Sequence, residues 1–330
     1  MWKMMLLLFG LLVACSNGSD AVPAATSTAQ PSSSSTAAGG VSFSKGLGTV
    51  TTPRLLDCPG GRVSAIGEVT SEDGVKWVVP AKIATGMTSA GDLSNPCTRI
   101  ENRSLTDVNL DNVPVVEIDP DGVVITGYIY ADNYFELYVG GKPVAKDPVP
   151  YTPFNASIVR FKAKYPMTYA IHGVDWEENL GQGTEDNKGS KFAPGDAGIV
   201  AVFSDGTATD ASWKAQTFYI APLTSKDSLR LEEKDGKEQR LSPQTSSPPA
   251  CGTDCYAAHF AVPDGWYAAS FDDSRWPNAV TYSEQTVGVD NKKEYTNYRS
   301  AFGKGSFIWT SNLVLDNEVL LRRTVEKAPK

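Results

Sequence analysis

Between residues 123 and 325 the apolar positions recur with the period of strands rather than of helices. Val123-Val124-Ile125-Thr126-Gly127-Tyr128-Ile129-Tyr130 is β-branched and aromatic, and Tyr134-Phe135-Glu136-Leu137-Tyr138-Val139 alternates in steps of two. That is the repeat of a strand whose side chains point to opposite faces. Ala131-Asp132-Asn133 between them has turn chemistry, and Gly140-Gly141-Lys142 closes the second run. Further strands are expected over 157–163, 167–174, 198–203, 215–220, 259–262, 306–309 and 319–325. Turn signals separate them, among them Asp119-Pro120-Asp121-Gly122, Ser204-Asp205-Gly206 and Pro263-Asp264-Gly265. No segment carries a long, capped helical period, so the pattern predicts an all-β fold, a sandwich or a barrel.

The N-terminus departs from this pattern. Met1-Trp2-Lys3 is a short positive start, and residues 4–14 form an apolar run. It is shorter than the roughly 20 residues of a permanent membrane-spanning helix and suits a signal-peptide core. Leu12-Val13-Ala14-Cys15 resembles a bacterial lipobox. The resemblance implies a lipoprotein signal peptide over 1–14, cleaved before Cys15, with a diacylglyceryl group on the Cys15 sulfur and palmitate-type acyl chains in the membrane. Residues 16–40 are almost entirely Ser, Ala, Thr, Gly and Pro. Such a segment buries too little apolar surface to offset its ordering entropy, so 15–40 is expected to be a disordered, lipid-anchored linker. Ser16, following the lipidated residue, resembles the outer-membrane sorting pattern of bacteria with two membranes. The expected location is therefore the cell envelope, at the outer membrane.

Composition narrows the partners. The net charge of −8, without clustered Lys and Arg, excludes the electrostatic footprint of a nucleic-acid binder. Beyond Cys15 the chain has Cys58, Cys97, Cys251 and Cys255. An even number in an exported chain predicts disulfides. Four cysteines allow three pairings, and Cys58–Cys97 with Cys251–Cys255 is favoured because each pair lies within one region.

Three segments carry a further resemblance. Ala131-Asp132-Asn133-Tyr134-Phe135-Glu136-Leu137-Tyr138-Val139-Gly140-Gly141-Lys142 resembles a strand pair of galactose-binding-domain-like jelly rolls, the β-sandwiches found as accessory modules of bacterial carbohydrate-active enzymes. Trp266-Tyr267-Ala268-Ala269-Ser270-Phe271-Asp272-Asp273-Ser274-Arg275-Trp276-Pro277 resembles a second hallmark of those modules. Phe307-Ile308-Trp309 with Val319-Leu320-Leu321-Arg322-Arg323 resembles a third. Gly140 stands where Asn is usual, and the order of the hallmarks is permuted. The resemblance implies a jelly-roll β-sandwich over 117–330 and carbohydrate binding. Residues 41–116 match no such motif and are expected to add N-terminal strands or a small β subdomain.

Candidate chemistry follows from residue type. Sugars bind through aromatic platforms and through carboxylates or amides that accept from hydroxyls. The loop candidates are Trp176, Glu177, Glu178, Trp213, Asp132 and Asn133; the bland alternative is that each Trp plugs the core. Calcium takes oxygen ligands from acidic loops, and Asp175, Asp186 and Asp196 are the candidates, with Glu177 and Glu178 beside them. Cys251-x3-Cys255-x3-His259 has the spacing of the thiolate and imidazole ligands in the dinuclear copper site of cytochrome oxidase. However, Val262 stands in the place of its Met, and a loop disulfide would remove the thiolates. No G-x-S-x-G elbow is present. Glu177 and Glu178, being adjacent, would point to opposite faces of a strand. No catalytic constellation emerges. The functional expectation is non-catalytic recognition of a glycan or other envelope ligand; the alternative is an assembly lipoprotein that binds another envelope protein. Cys15→Ala should move the chain from the membrane to the soluble fraction of lysed cells; continued sedimentation with membranes would contradict the lipid anchor.

Overall fold

A computed structural model describes residues 40–101, 104–187, 189–244 and 251–327. The signal segment, Cys15 and nearly all of the linker lie outside the described residues. In chain order the strands are β1 (Ser42–Lys45), β2 (Thr49–Thr52), β3 (Ile66–Thr70), β4 (Lys76–Val79), β5 (Gly91–Asn95), β6 (Ile100–Glu101), β7 (Val115–Glu117), β8 (Val123–Asp132), β9 (Tyr134–Val139), β10 (Lys142–Lys146) and β11 (Ala156–Ala163). They continue as β12 (Met167–Val174), β13 (Thr184–Asn187), β14 (Ser190–Pro194), β15 (Gly198–Phe203), β16 (Lys214–Leu223), β17 (Arg230–Lys234), β18 (Lys237–Leu241), β19 (Tyr256–His259), β20 (Val280–Tyr282), β21 (Phe307–Trp309) and β22 (Asp316–Val325). Two single-turn helices, α1 (Lys293–Thr296) and α2 (Arg299–Phe302), precede β21. Among the described residues no helix is long and apolar enough to cross a membrane.

The strands form an all-β sandwich of two sheets. One runs β1-β19-β16-β22-β12-β9-β10; the other runs β20-β21-β15-β8-β11-β5-β6, with β7 parallel to β11. From β8 onward the chain passes back and forth between the two sheets, a jelly-roll winding. Ala131-Asp132-Asn133 is therefore not a hairpin turn: β8 pairs with β11 and β15, while β9 pairs with β10 and β12. Those three residues carry the chain from one sheet to the other, which is why all three are buried. The strand expected over 259–262 ends at His259, because Ala261 and Val262 leave the sheet and are exposed. Residues 41–116 supply β1 to the edge of one sheet and β5, β6 and β7 to the other, while β2, β3 and β4 make a separate three-stranded sheet. The disulfides are Cys58–Cys97 and Cys251–Cys255, the pairs favoured from their positions in the chain.

Strand alternation decides the packing. Leu137, Val139, Tyr169, Ile171, Val319 and Leu321 fill the gap between the sheets, against Ile125, Ile129, Phe161, Ile199 and Phe203. Trp213 and Trp309 lie in the same core. Gly173 makes room for Trp309: an added Cβ would stand 2.6 Å from its indole ring. The alternate positions Tyr138, Ala170, Phe218, Ile220 and Leu320 form a second apolar cluster with Phe260, Trp266 and Trp276. The seven-stranded sheet is thus covered on both faces, the outer one by the segment carrying Phe260 to Trp276.

Arg322 holds that cover down. It projects from the outer face of β22, with a side chain that is 1% exposed, and donates from Nε to Asp273 Oδ2 at 2.8 Å. Nη1 donates to the Trp266 carbonyl and Nη2 to the Phe271 carbonyl, and the guanidinium stacks over the Phe271 ring. Two of the sequence segments that resemble galactose-binding hallmarks meet in this contact. Removing the guanidinium leaves the Trp266 and Phe271 carbonyls without their donor, at about 1–3 kcal/mol for each acceptor left buried and unsatisfied. Arg322→Ala should accordingly lower the melting temperature sharply and raise the solvent exposure of Trp266, read by iodide quenching; unchanged quenching would show that the cover is held by other contacts.

Candidate functional site

The same alternation that fills the core sets a row of charge on the outer face. In β9 the residues Phe135, Leu137 and Val139 face inward, so Tyr134, Glu136 and Tyr138 face out. His172 lies opposite Glu136 on one side and opposite Leu320 on the other. Glu318, two residues from Leu320, shares that face. Three neighbouring strands thus bring Glu136, His172 and Glu318 into line.

His172 Nε2 donates to Glu318 Oε1 at 2.9 Å, and Nδ1 lies 3.4 Å from Glu136 Oε2. Burial by itself lowers the His172 pKa, but hydrogen bonds to both glutamates and their charges outweigh it and raise it to about 10. The ring is an imidazolium, with both N–H groups donating. Burial likewise pushes Glu136 up, yet the contacts to His172, the Ala84 N–H and Tyr138 bring it down to about 2. Glu136 is fully engaged: Oε1 accepts from the Ala84 N–H at 2.5 Å and Tyr134 Oη at 3.1 Å, and Oε2 also accepts from Tyr138 Oη at 2.9 Å. Glu318 differs, because among the described residues its Oε2 has no protein partner.

This row floors a cavity of about 390 Å³ walled by Lys82, Ala84, Asp264, Trp266 and Tyr267. A second cavity, of about 240 Å³, shares Ala84, Tyr138 and Tyr267 with the first and continues to Met87, Gly141 and Pro143. At the junction Tyr138 and Tyr267 stack with centroids 4.6 Å apart and planes at 13°. Trp266 meets both tyrosines edge-on, at 5.4 and 5.7 Å. A larger cavity, of about 480 Å³, lies beside the β17–β18 hairpin. Exposed side chains such as Glu232, Lys234 and Asp235 line part of it, beside the bonded Gln216 and Arg240, and none of the residues lining it is a Trp, Tyr or Phe.

The residues singled out from the sequence lie elsewhere. Trp213 is fully buried between the sheets, its Nε1 bonded to the Ala208 carbonyl. Trp176 is 1% exposed and packs on Tyr134. Neither is a platform; apolar area of that size is worth more inside the core. Glu177 is a buried loop cage: its carboxylate accepts from the N–H groups of Gly181, Gln182 and Gly183 and from Tyr219 Oη. Glu178 forms a two-pronged pair with Arg62 at 2.9 and 2.8 Å, and Arg62 also reaches Glu185. Asn133 Oδ1 accepts from the Trp176 N–H, and Asn133 Nδ2 donates to Asp132. These groups hold loops; they do not face the cavities.

The calcium candidates converge only in part: Asp175 and Asp196 lie near enough for their charges to interact, and Asp186 is not among the charges acting on them. Asp175 is buried, whereas Asp186 and Asp196 are exposed. Among the described residues no three His, Cys, Asp or Glu side chains assemble into a metal-ligating group. Burial raises Asp175 well above the usual carboxylate range, helped by the charges of Glu185, Asp132 and Asp196. The copper spacing is occupied otherwise: the two thiols are joined, and His259 Nε2 contacts Ser44 at 2.8 Å while its ring lies between Trp77 and Tyr219.

Sequence reasoning missed Glu136, His172, Glu318, Tyr138, Trp266 and Tyr267 as a group. One signal was present: a glutamate and a histidine each stand within an otherwise apolar strand. Comparison of the chain with protein-family models, curated proteins and solved structures finds no match.

The buried acids set a pH dependence. Burial raises Glu177 and Asp316 to about 7 and Asp147 to about 8. An acid whose folded pKa is raised binds its proton more tightly when folded, so stability falls as pH climbs from near 4 to those values. The His172 contribution is complete below 6.5 and is lost as pH rises through 10. Both act in the same direction above pH 6.5. The melting temperature should therefore be higher at pH 6 than at pH 8.5, and His172→Gln should flatten the decline; a melting temperature that rises toward pH 8.5 would contradict the assignment.

Proposed function

We propose that this chain is an envelope lipoprotein, anchored through Cys15, whose sandwich binds a glycan non-catalytically in the cleft over Glu136, His172 and Glu318. One observation carries the reading: immobilised charge and stacked aromatic rings share the walls of one cleft. Pyranose rings present C–H faces that lie on aromatic rings and hydroxyls that donate to carboxylates. Tyr267 is half-buried and lines both cavities, which leaves it in reach of such a face. Glu318 offers an acceptor, and Glu136 is saturated by four donors, so it holds the floor and has no lone pair to spare for chemistry.

The motif residues support assignment to the galactose-binding-like jelly rolls, with the site on the outer face of the seven-stranded sheet. The lipobox-like Leu12 to Cys15 and the Ser/Thr/Ala-rich segment after it support the envelope location.

The test is calorimetric titration of the full chain with a panel of neutral, amino and acidic oligosaccharides. Tyr267→Ala should weaken the best ligand about tenfold or more, the effect of losing an aromatic anchor, while leaving the melting temperature within a few degrees. Undiminished affinity would move the site elsewhere, and absence of binding across the panel would overturn the glycan reading.

A further inference from the structure

The charge of the cleft restricts what it accepts. Two glutamates on the floor face a single imidazolium, and the rim carries one lysine, Lys82, and one aspartate, Asp264. The adjoining cavity is lined by Ala84, Met87, Tyr138, Gly141, Pro143 and Tyr267 among others, with no charged side chain among the described residues. Among the described residues no guanidinium lines either cavity. Arg322, whose donors contact the Trp266 and Phe271 carbonyls behind this wall, is consumed by those bonds and by Asp273. Recognition of a sugar carboxylate or sulfate rests on an arginine fork or a comparable donor set. An acidic sugar placed here would lose its water beside Glu318 and meet no fork.

We infer that the cleft selects oligosaccharides bearing free amino groups, of the hexosamine type, over neutral ones and excludes uronic-acid or sulfated chains. This rests on the glycan reading given above. Glu318 carries the preference: its Oε1 is held by His172 at 2.9 Å, which orients the carboxylate, and its Oε2 is left to accept from an ammonium group. Charge-assisted hydrogen bonds of this kind are stronger than those to neutral hydroxyls. The two cavities meet at Tyr138 and Tyr267, so a chain of at least two sugar units lies across that pair, one unit on each side.

The experiment titrates the full chain with three tetrasaccharides of one length: a glucosamine tetramer, cellotetraose and a galacturonic-acid tetramer, each at low and high salt. The expected order of affinity is amino, neutral, acidic, with about tenfold or more between the first and the last, since like charge across an interface is strongly unfavourable. The amino preference should shrink in high salt. Glu318→Gln, nearly isosteric, should bring the amino and neutral tetramers to equal affinity while neutral binding persists. Should that variant not fold, the order of the three ligands on the unaltered chain decides. An acidic tetramer that binds as tightly as the amino one, and loses affinity in Tyr267→Ala, would overturn the selectivity while leaving the glycan cleft standing. Failure of all three to bind would overturn both.

Discussion

Coverage of the outer face of the seven-stranded sheet is the constraint on which the rest of this structure depends, and Arg322 is its fastening. A sheet with one open face shows alternating apolar and polar positions, but β12 is buried along its whole length. The second apolar layer exists because the segment from Phe260 to Trp276 lies across the strands. Three of its groups, the Trp266 and Phe271 carbonyls and the Asp273 carboxylate, converge on one guanidinium. An arginine suits that task, since its planar fork serves several acceptors at once and keeps its charge at any physiological pH.

Covering the face creates the dielectric in which the charged row acts. Water-exposed, a histidine between two glutamates would be a weak, screened contact. Under Trp266 and Tyr267 it becomes a strong one, and its own burial penalty is overcome only because two carboxylates flank it. The row has more negative charge than positive, with two glutamates to one imidazolium. The acidic cluster around Asp175 is the opposite case. Asp132 and Asp175 are buried there among other carboxylates, and burial with that like charge pushes both well above the usual carboxylate range.

Much of the fold was legible from local pattern. The strands around Ile125, Leu137, Ile171, Val200 and Leu321 are visible as β-branched or alternating runs, because each face of a strand meets a consistent environment. The cysteine pairs were legible because both are local. The crossing at Ala131 to Asn133 was not, since a two-sheet passage and a hairpin turn use the same small polar residues. The site was least legible. Glu136, His172 and Glu318 are separated by 36 and 146 residues, and only the register of β9, β12 and β22 makes them neighbours. Trp176 and Trp213 illustrate the converse: a tryptophan flanked by polar residues, Asp175 and Glu177 or Ser212 and Lys214, has the composition of a loop platform, yet its neighbours in the chain do not reveal what packs above the ring.

The bond from the Ala84 N–H to Glu136 ties one wall of the cleft to its floor, and Arg322 ties down the opposite wall. Neither anchor involves a long exposed side chain that must choose a rotamer. On the glycan reading proposed above, the cleft would meet its ligand already ordered, and most of the conformational entropy lost on association would fall on the ligand. On that proposed reading, oligosaccharides of equal contact area would be discriminated by stiffness: a chain whose glycosidic torsions already match the groove loses less freedom than a flexible one, so linkage geometry would become a determinant of affinity.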